Sequence, residues 1–137
     1  MKQIESLIRG EMSAVKSIDA ILSKIQNDSE LNELSSIRQD HVQAVDKLKR
    51  FSGGEFKEET QSSGPWGAFA QTFTGGASFF GDKAALRALK VGEEHGRNEY
   101  QEALSSGNLD SELTNVIQNE LLPNQERHLK TIDGYLQ

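Results

Sequence analysis

The sequence predicts a single all-α domain in which four helices form a bundle. Apolar residues recur at alternating four- and three-residue intervals in several long segments, which is the stripe of a helix in a bundle. Only two prolines interrupt the 137 residues, and no convincing strand pattern is present. A chain of this length forms one domain with a sizeable core, so residues 1–137 are expected to form one bundle.

The first helix is predicted over residues 3–26. Its apolar stripe contains one charged residue, Glu11. A carboxylate in a buried stripe needs a partner, because desolvating an unpaired charge is costly. The other members of this stripe are Ile4, Ile8, Val15, Ile18, Leu22 and Ile25.

The second helix is predicted over about 29–51, with Asn27 as its N-cap. The turn before it is so short that the two helices must be antiparallel neighbours. The predicted buried stripe places Arg38 and His41 among Leu31, Leu34, Val45 and Leu48. Counted from Asn27, Glu11 lies 16 residues back and His41 lies 14 forward, so the two are nearly level.

Residues 52–81 are predicted to be a long crossover between the second and third helices. Pro65 suits a first helical position, and it is followed by apolar residues that share one face of a short amphipathic helix. A connection of this length can travel the full length of a helix, so the third helix can run parallel to the second. The residues of the apolar face are Trp66, Phe69, Phe73, Ala77 and Phe80.

The third and fourth helices are predicted over about 83–104 and 111–136, with Asp82 and Asp110 as N-caps. Pro123 is expected to kink the fourth helix or to leave a carbonyl unpaired. The predicted buried stripe of the third helix is Leu86, Leu89, Glu93, Gly96, Tyr100 and Ala103. That of the fourth is Ile117, Leu121, Gln125, His128, Ile132 and Tyr135.

The two halves of the chain share one plan. Each has a Glu on its first helix and a polar residue three positions before a His on its second helix. Carboxylate-bridged di-iron bundles place one Glu on each of two helices and Glu-x-x-His on each of the other two. The candidate metal ligands in this chain are therefore Glu11, His41, Glu93 and His128.

The bridging positions of that pattern are occupied by Arg38 and Gln125, and neither is a carboxylate. Arg38 brings a fixed positive charge that can pair with Glu11 and Glu93, doing electrostatically what a cation would do. Gln125 is its neutral counterpart in the second half. These replacements argue against a di-iron oxidase and against an enzyme of that kind.

The levels of the candidate ligands match less well in the second half. Counted from a turn near Gly107, Glu93 lies 14 residues back and His128 lies 21 forward. That is a mismatch of about 10 Å in straight helices. The level alternatives are Glu94 for Glu93, and Glu120 for Gln125 and His128.

Five strings carry a resemblance to a known family: Arg9-Gly-Glu-Met-Ser-Ala-Val15, Asp40-His-Val-Gln-Ala-Val45, Ser63-Gly-Pro-Trp-Gly-Ala-Phe-Ala70, Gly92-Glu-Glu-His-Gly96 and Leu121-Leu-Pro-Asn-Gln125. With these strings the chain resembles the ferritin-like superfamily, and within it a small bacterial branch defined only as a domain of unknown function. The resemblance implies a ferritin-like bundle with a long crossover after the second helix. It implies no known activity.

Composition narrows the functions that remain. A net charge of −6 without a basic stripe argues against nucleic acid as a partner. The absence of cysteine excludes thiolate metal sites and is compatible with the expected cytoplasmic location, and no apolar run is long enough to span a membrane.

Two hypotheses follow. The first, which the replaced bridging carboxylates favour, is a binding or structural protein with a metal-free polar layer that forms a homodimer or binds an unidentified protein. The second is a metal-binding protein with a Glu/His site for iron, manganese or zinc and weak redox activity. Within the second, one ion is favoured over two, because no bridging carboxylate remains.

Overall fold

The computed structural model describes residues 2–53 and 81–137 and places 89% of them in helices. Helix α1 spans Lys2–Leu22, α2 spans Asp28–Phe51 and α3 spans Gly81–Ser106. The fourth helical arm consists of α4 (Ser111–Val116), a π-helical turn (Ile117–Leu121) and α5 (Leu122–Leu136). These described residues contain no strand, and the predicted all-α class is confirmed.

Two predicted N-caps are present. The Asn27 side chain accepts a hydrogen bond from the backbone N–H of Glu30 at 3.0 Å, at the start of α2. The Asp110 side chain accepts one from the backbone N–H of Leu113 at 2.8 Å, at the start of α4. Each cap satisfies a donor that has no partner within its helix.

Other helix ends differ from the prediction by a few residues. Helix α1 ends at Leu22, whereas the prediction continued it to residue 26. Helix α3 begins at Gly81, so the expected cap Asp82 lies inside the helix. It continues to Ser106 and is followed by Gly107, whose φ of 69° lies in the left-handed region that glycine adopts at little cost.

Contacts between helices fix their directions. Ser6 Oγ donates to Glu99 Oε2 at 2.9 Å, which pairs the start of α1 with the end of α3. The hydroxyls of Ser29 and Tyr135 lie 3.0 Å apart, which pairs the start of α2 with the end of α5. Neighbouring helices are therefore antiparallel, and α2 and α3 run in the same direction. The crossover predicted between them falls largely on residues 54–80, which lie outside the described residues together with Trp66, Phe69, Phe73, Ala77 and Phe80.

The core consists of two apolar clusters separated by polar residues. One cluster contains Ala14, Ile18, Ile21, Ile25, Leu34, Ile37, Ala85, Leu86, Leu89 and Ile132. The other contains Ile4, Leu7, Ile8, Ala44, Val45, Leu48, Tyr100, Ala103, Leu113, Ile117 and Leu121. Glu11, His41, Glu93, Gln125 and His128 lie in sequence between the parts of each helix that supply the two clusters. None of the described helices is both long enough and apolar enough to cross a bilayer.

The π-helical turn keeps the fourth arm in line with this core. Leu113, Ile117, Leu121 and Gln125 are all buried and follow one another at four-residue steps. Three such steps in a regular α-helix would drift by about 120° around its axis. The π turn contains more residues per turn and offsets part of that drift. Pro123, which has no backbone N–H to donate, lies just after the π turn, where the hydrogen-bonding pattern of the arm changes.

The predicted place of Arg38 in the buried stripe of α2 is wrong. Ile37 is only 4% exposed and belongs to the core. Arg38 lies on the surface, where its Nε donates to Asp19 Oδ1 at 2.5 Å, and the two side chains are 36% and 51% exposed. Arg38 therefore does not compensate the charges of Glu11 and Glu93, and an exposed pair of this kind contributes about 0–1 kcal/mol.

Candidate metal centre

One polar layer crosses the bundle and receives side chains from every helical arm. Helix α1 supplies Glu11, α2 supplies His41, α3 supplies Glu93, and α5 supplies Gln125 and His128. Their exposed fractions lie between 0% and 6%. The predicted burial of these five side chains is therefore confirmed.

His41 lies between two carboxylates. Its Nδ1 is 2.5 Å from Glu11 Oε2, and its Nε2 is 3.0 Å from Glu93 Oε1. Burial lowers the pKa of the His41 imidazole, but the carboxylates of Glu93 and Glu11 raise it more, so that it stands well above 6.5. Carboxylate oxygens accept hydrogen bonds and only the imidazolium can donate from both ring nitrogens, so His41 is an imidazolium when no metal is bound.

Glu93 is the centre of the layer. Burial raises the pKa of its carboxyl, but His41 and His128 lower it more, to about 2. Gln125 Nε2 donates to the backbone oxygen of Glu93 at 2.9 Å and to its Oε2 at 3.0 Å. A charged carboxylate is therefore held in the core by groups from α2 and α5.

His128 also approaches Glu93. Its Nδ1 lies 3.0 Å from Glu93 Oε1, yet this buried nitrogen makes no hydrogen bond. Its Nε2 lies 2.8 Å from Asp40 Oδ2, which also accepts from Arg127 Nη2 at 2.7 Å. The ring centroids of His41 and His128 are 4.9 Å apart, so both imidazoles border the same small volume.

Three residues of the site were not predicted as such. Tyr100 is buried and its hydroxyl donates to Glu11 Oε1 at 2.7 Å. Burial and the Glu11 carboxylate raise the pKa of this phenol well above 10, so it remains a donor. Tyr100 could have been found from its place in the α3 stripe. The contacts of Asp40 and Arg127 join α2 to α5, and periodicity within one helix does not reveal them.

The two alternative ligands do not enter the layer. Glu120 is an exposed residue that forms an ion pair with Lys47, and Glu94 is only half-buried. His95 is 35% exposed and lies 3.4 Å from Glu99, on the surface of α3. The expected mismatch of levels is overcome, because His128 reaches Glu93 directly.

His41, Glu93 and His128 can each offer one ligand atom, and these atoms lie within 4.8 Å of one another. A zinc ion with bonds of about 2.1 Å holds its ligands within about 4 Å of one another, so small side-chain movements suffice. Two imidazole nitrogens and a carboxylate oxygen suit zinc, iron or manganese. Glu11, the fourth predicted ligand, instead contacts the other nitrogen of His41.

A cavity of about 10 Å³ lies beside the layer, between α1 and α3. Its walls include Gly10, Gly96, Glu11, His41 and Tyr100. A space of this size holds about one water molecule. The described residues thus leave little room next to the layer for a larger ligand.

No protein-family model, no curated protein and no solved structure matches this chain.

In the metal-free protein, the free energy of unfolding should be highest between about pH 4.5 and 6.5. The folded pKa of Glu93 is lowered from 4.5 to about 2, so its contribution is present above pH 4.5 and is lost as the pH falls through that range. The folded pKa of His41 is raised above 6.5, so its contribution is complete below pH 6.5 and is lost as the pH rises through the folded value. Urea unfolding in the presence of a chelator, at about pH 3, 5.5 and 9, measures the loss of stability on the acidic side and on the basic side. A stability that still rises above pH 6.5 would contradict the contribution of His41.

Gly96→Ala should destabilise the bundle by about 1–3 kcal/mol, because an added Cβ would lie 2.7 Å from Gln125 Nε2 and displace the donor that holds Glu93. Gly134→Ala is the matched control, since its Cβ meets nothing within 4 Å. That change in a helix should stabilise the protein by about 0.5–1 kcal/mol. Urea unfolding measures the change in the free energy of unfolding of each variant, which should be negative for Gly96→Ala and positive for Gly134→Ala. Equal changes would mean that the layer is not closely packed around Gly96.

Proposed function

We propose that this chain is a ferritin-like bundle whose central layer binds one divalent transition-metal ion, zinc, iron or manganese, through His41, Glu93 and His128. The observation that carries this proposal is the buried convergence of the three ligand atoms, in which His128 Nδ1 has no hydrogen-bond partner. Buried polar atoms without a partner are rare and need an explanation. A cation bound between His128 and Glu93 would give this nitrogen a partner.

The directions of the helices support the ferritin-like part of the proposal. Helices α2 and α3 are parallel, so α2 ends and α3 begins at opposite ends of the bundle. Such bundles build their metal sites from side chains that project inward from facing helices. The layer of this chain has that origin, with ligands from α2, α3 and α5.

The charge of the layer supports a single ion. Arg38 lies outside the core, so the strongest argument for a metal-free layer no longer applies. Gln125 occupies the position of a bridging carboxylate, and one carboxylate at the centre, Glu93, suits one ion better than two. The proton of His41 is the charge that a metal would replace, so binding should release a proton and strengthen as the pH rises.

When bound, such an ion would supply Lewis-acid or one-electron redox chemistry. The chain's own residues bind it and shield it from solvent, since His41, Glu93 and His128 are at most 2% exposed. The expected dimer and the cytoplasmic location stay predictions.

A metal-free structural layer is the second candidate, and one observation favours it. Both ring nitrogens of His41 already contact carboxylates, so the imidazolium satisfies Glu11 and Glu93 without a metal. Such a layer would fix the register of α1, α2 and α3, a role that buried polar groups have in some proteins.

Titration of chelator-stripped protein with Co(II) and Zn(II) tests the proposal. We expect about one ion per chain and a melting temperature that rises with metal concentration. His128→Ala should remove most of the affinity, because it deletes one of three ligands. His95→Ala is the matched control, since this imidazole lies on the surface of α3 and should leave binding unchanged.

Less than about a tenth of an ion per chain at saturating metal, with no change in melting temperature, would overturn metal binding and leave the structural layer. Equal losses in the His128 and His95 variants would mean that the metal binds elsewhere.

A further inference from the structure

Each imidazole of the layer has a carboxylate on the nitrogen that points away from Glu93. His41 Nδ1 contacts Glu11 Oε2 at 2.5 Å, and His128 Nε2 contacts Asp40 Oδ2 at 2.8 Å. The nitrogens that face Glu93 are therefore His41 Nε2 and His128 Nδ1. The two histidines use opposite ring nitrogens but have the same arrangement.

Each outer carboxylate is itself held by a donor. Tyr100 donates to Glu11 Oε1 at 2.7 Å, and Arg127 donates to Asp40 Oδ2 at 2.7 Å. Tyr100 comes from α3 and Arg127 from α5, so each donor lies on a different helix from the carboxylate that it orients. These contacts leave the carboxylates little freedom to turn away from the imidazoles.

The tautomer of His128 follows from these contacts. An ionised carboxylate only accepts hydrogen bonds, so the nitrogen that faces Asp40 must carry the proton. When the ring carries a single proton, that proton is on Nε2, and Nδ1 keeps a lone pair that can bind a cation beside Glu93. In the structure this Nδ1 is buried and has no hydrogen-bond partner.

We propose that Asp40 and Glu11 are positioning residues, which hold His128 and His41 with the ligand nitrogen of each directed at Glu93. This inference rests on the proposed metal site and changes the role of Glu11 from ligand to support of a ligand. In metalloproteins, a carboxylate behind a ligating histidine fixes its orientation, and its loss typically lowers metal affinity by about 10–100-fold.

Asp40 provides the sharper test of the two. Its side chain is 21% exposed, whereas Glu11 is 6% exposed and also satisfies the charge of His41. Asp40→Ala therefore removes the contact to His128 at the edge of the layer and leaves the His41 contacts in place. Asp19→Ala is the matched control, because Asp19 also pairs with an arginine, Arg38, but lies outside the layer.

The first readout is the position of the proton on the His128 ring in metal-free protein, measured by ¹⁵N NMR at about pH 8. The wild type and Asp19→Ala should show a proton on Nε2 and none on Nδ1. Asp40→Ala should lose this preference. A role of Asp40 in folding alone would leave the tautomer unchanged.

The second readout is Co(II) affinity, which should fall by about 10–100-fold in Asp40→Ala and by less than about twofold in Asp19→Ala. A wild type that binds Co(II), with an Asp40→Ala variant of equal affinity and tautomer, would overturn this inference and leave the proposed function intact. A wild type that binds no Co(II) would overturn the proposed function and this inference with it. A wild type with the proton on His128 Nδ1 would overturn this inference whatever its affinity.

Discussion

The contact of one buried imidazole with two carboxylates constrains the whole bundle. Glu11, His41 and Glu93 belong to three different helices, and His41 reaches both carboxylates only when those helices are level. Removing one partner would leave a buried charge uncompensated, at a cost of about 3–5 kcal/mol. The apolar clusters on either side exclude water, which makes this pairing obligatory.

In the proposed site, the same geometry would hold either a proton or a metal. In the metal-free layer the proton of His41 is the counter-charge, and a divalent ion would replace it while His128 and Glu93 complete the ligands. The fourth helical arm makes this arrangement possible, because the π-helical turn directs Gln125 and His128 into the core. Wider helical turns of this kind are frequent at functional sites.

Helical periodicity was sufficient to place the central residues, because a stripe records which face of each helix is buried. It could not choose between neighbours within the stripe. Ile37 and Arg38 both fit the spacing of α2, and the lower cost of burying an apolar side chain decides for Ile37. It also could not reveal contacts between helices, which depend on their relative rotation and level. The contacts of this kind are Tyr100 with Glu11, and Asp40 with His128 and Arg127.

X-ray absorption of the zinc-loaded protein tests the central claim most directly, because it reports the atoms bound to the metal. We predict two imidazole nitrogens at about 2.0–2.1 Å and carboxylate oxygen at about 2.0–2.2 Å. In the His128→Ala variant the imidazole count should fall to one. A zinc ion surrounded only by oxygen, or a spectrum unchanged by the loss of His128, would contradict a centre formed by His41, Glu93 and His128.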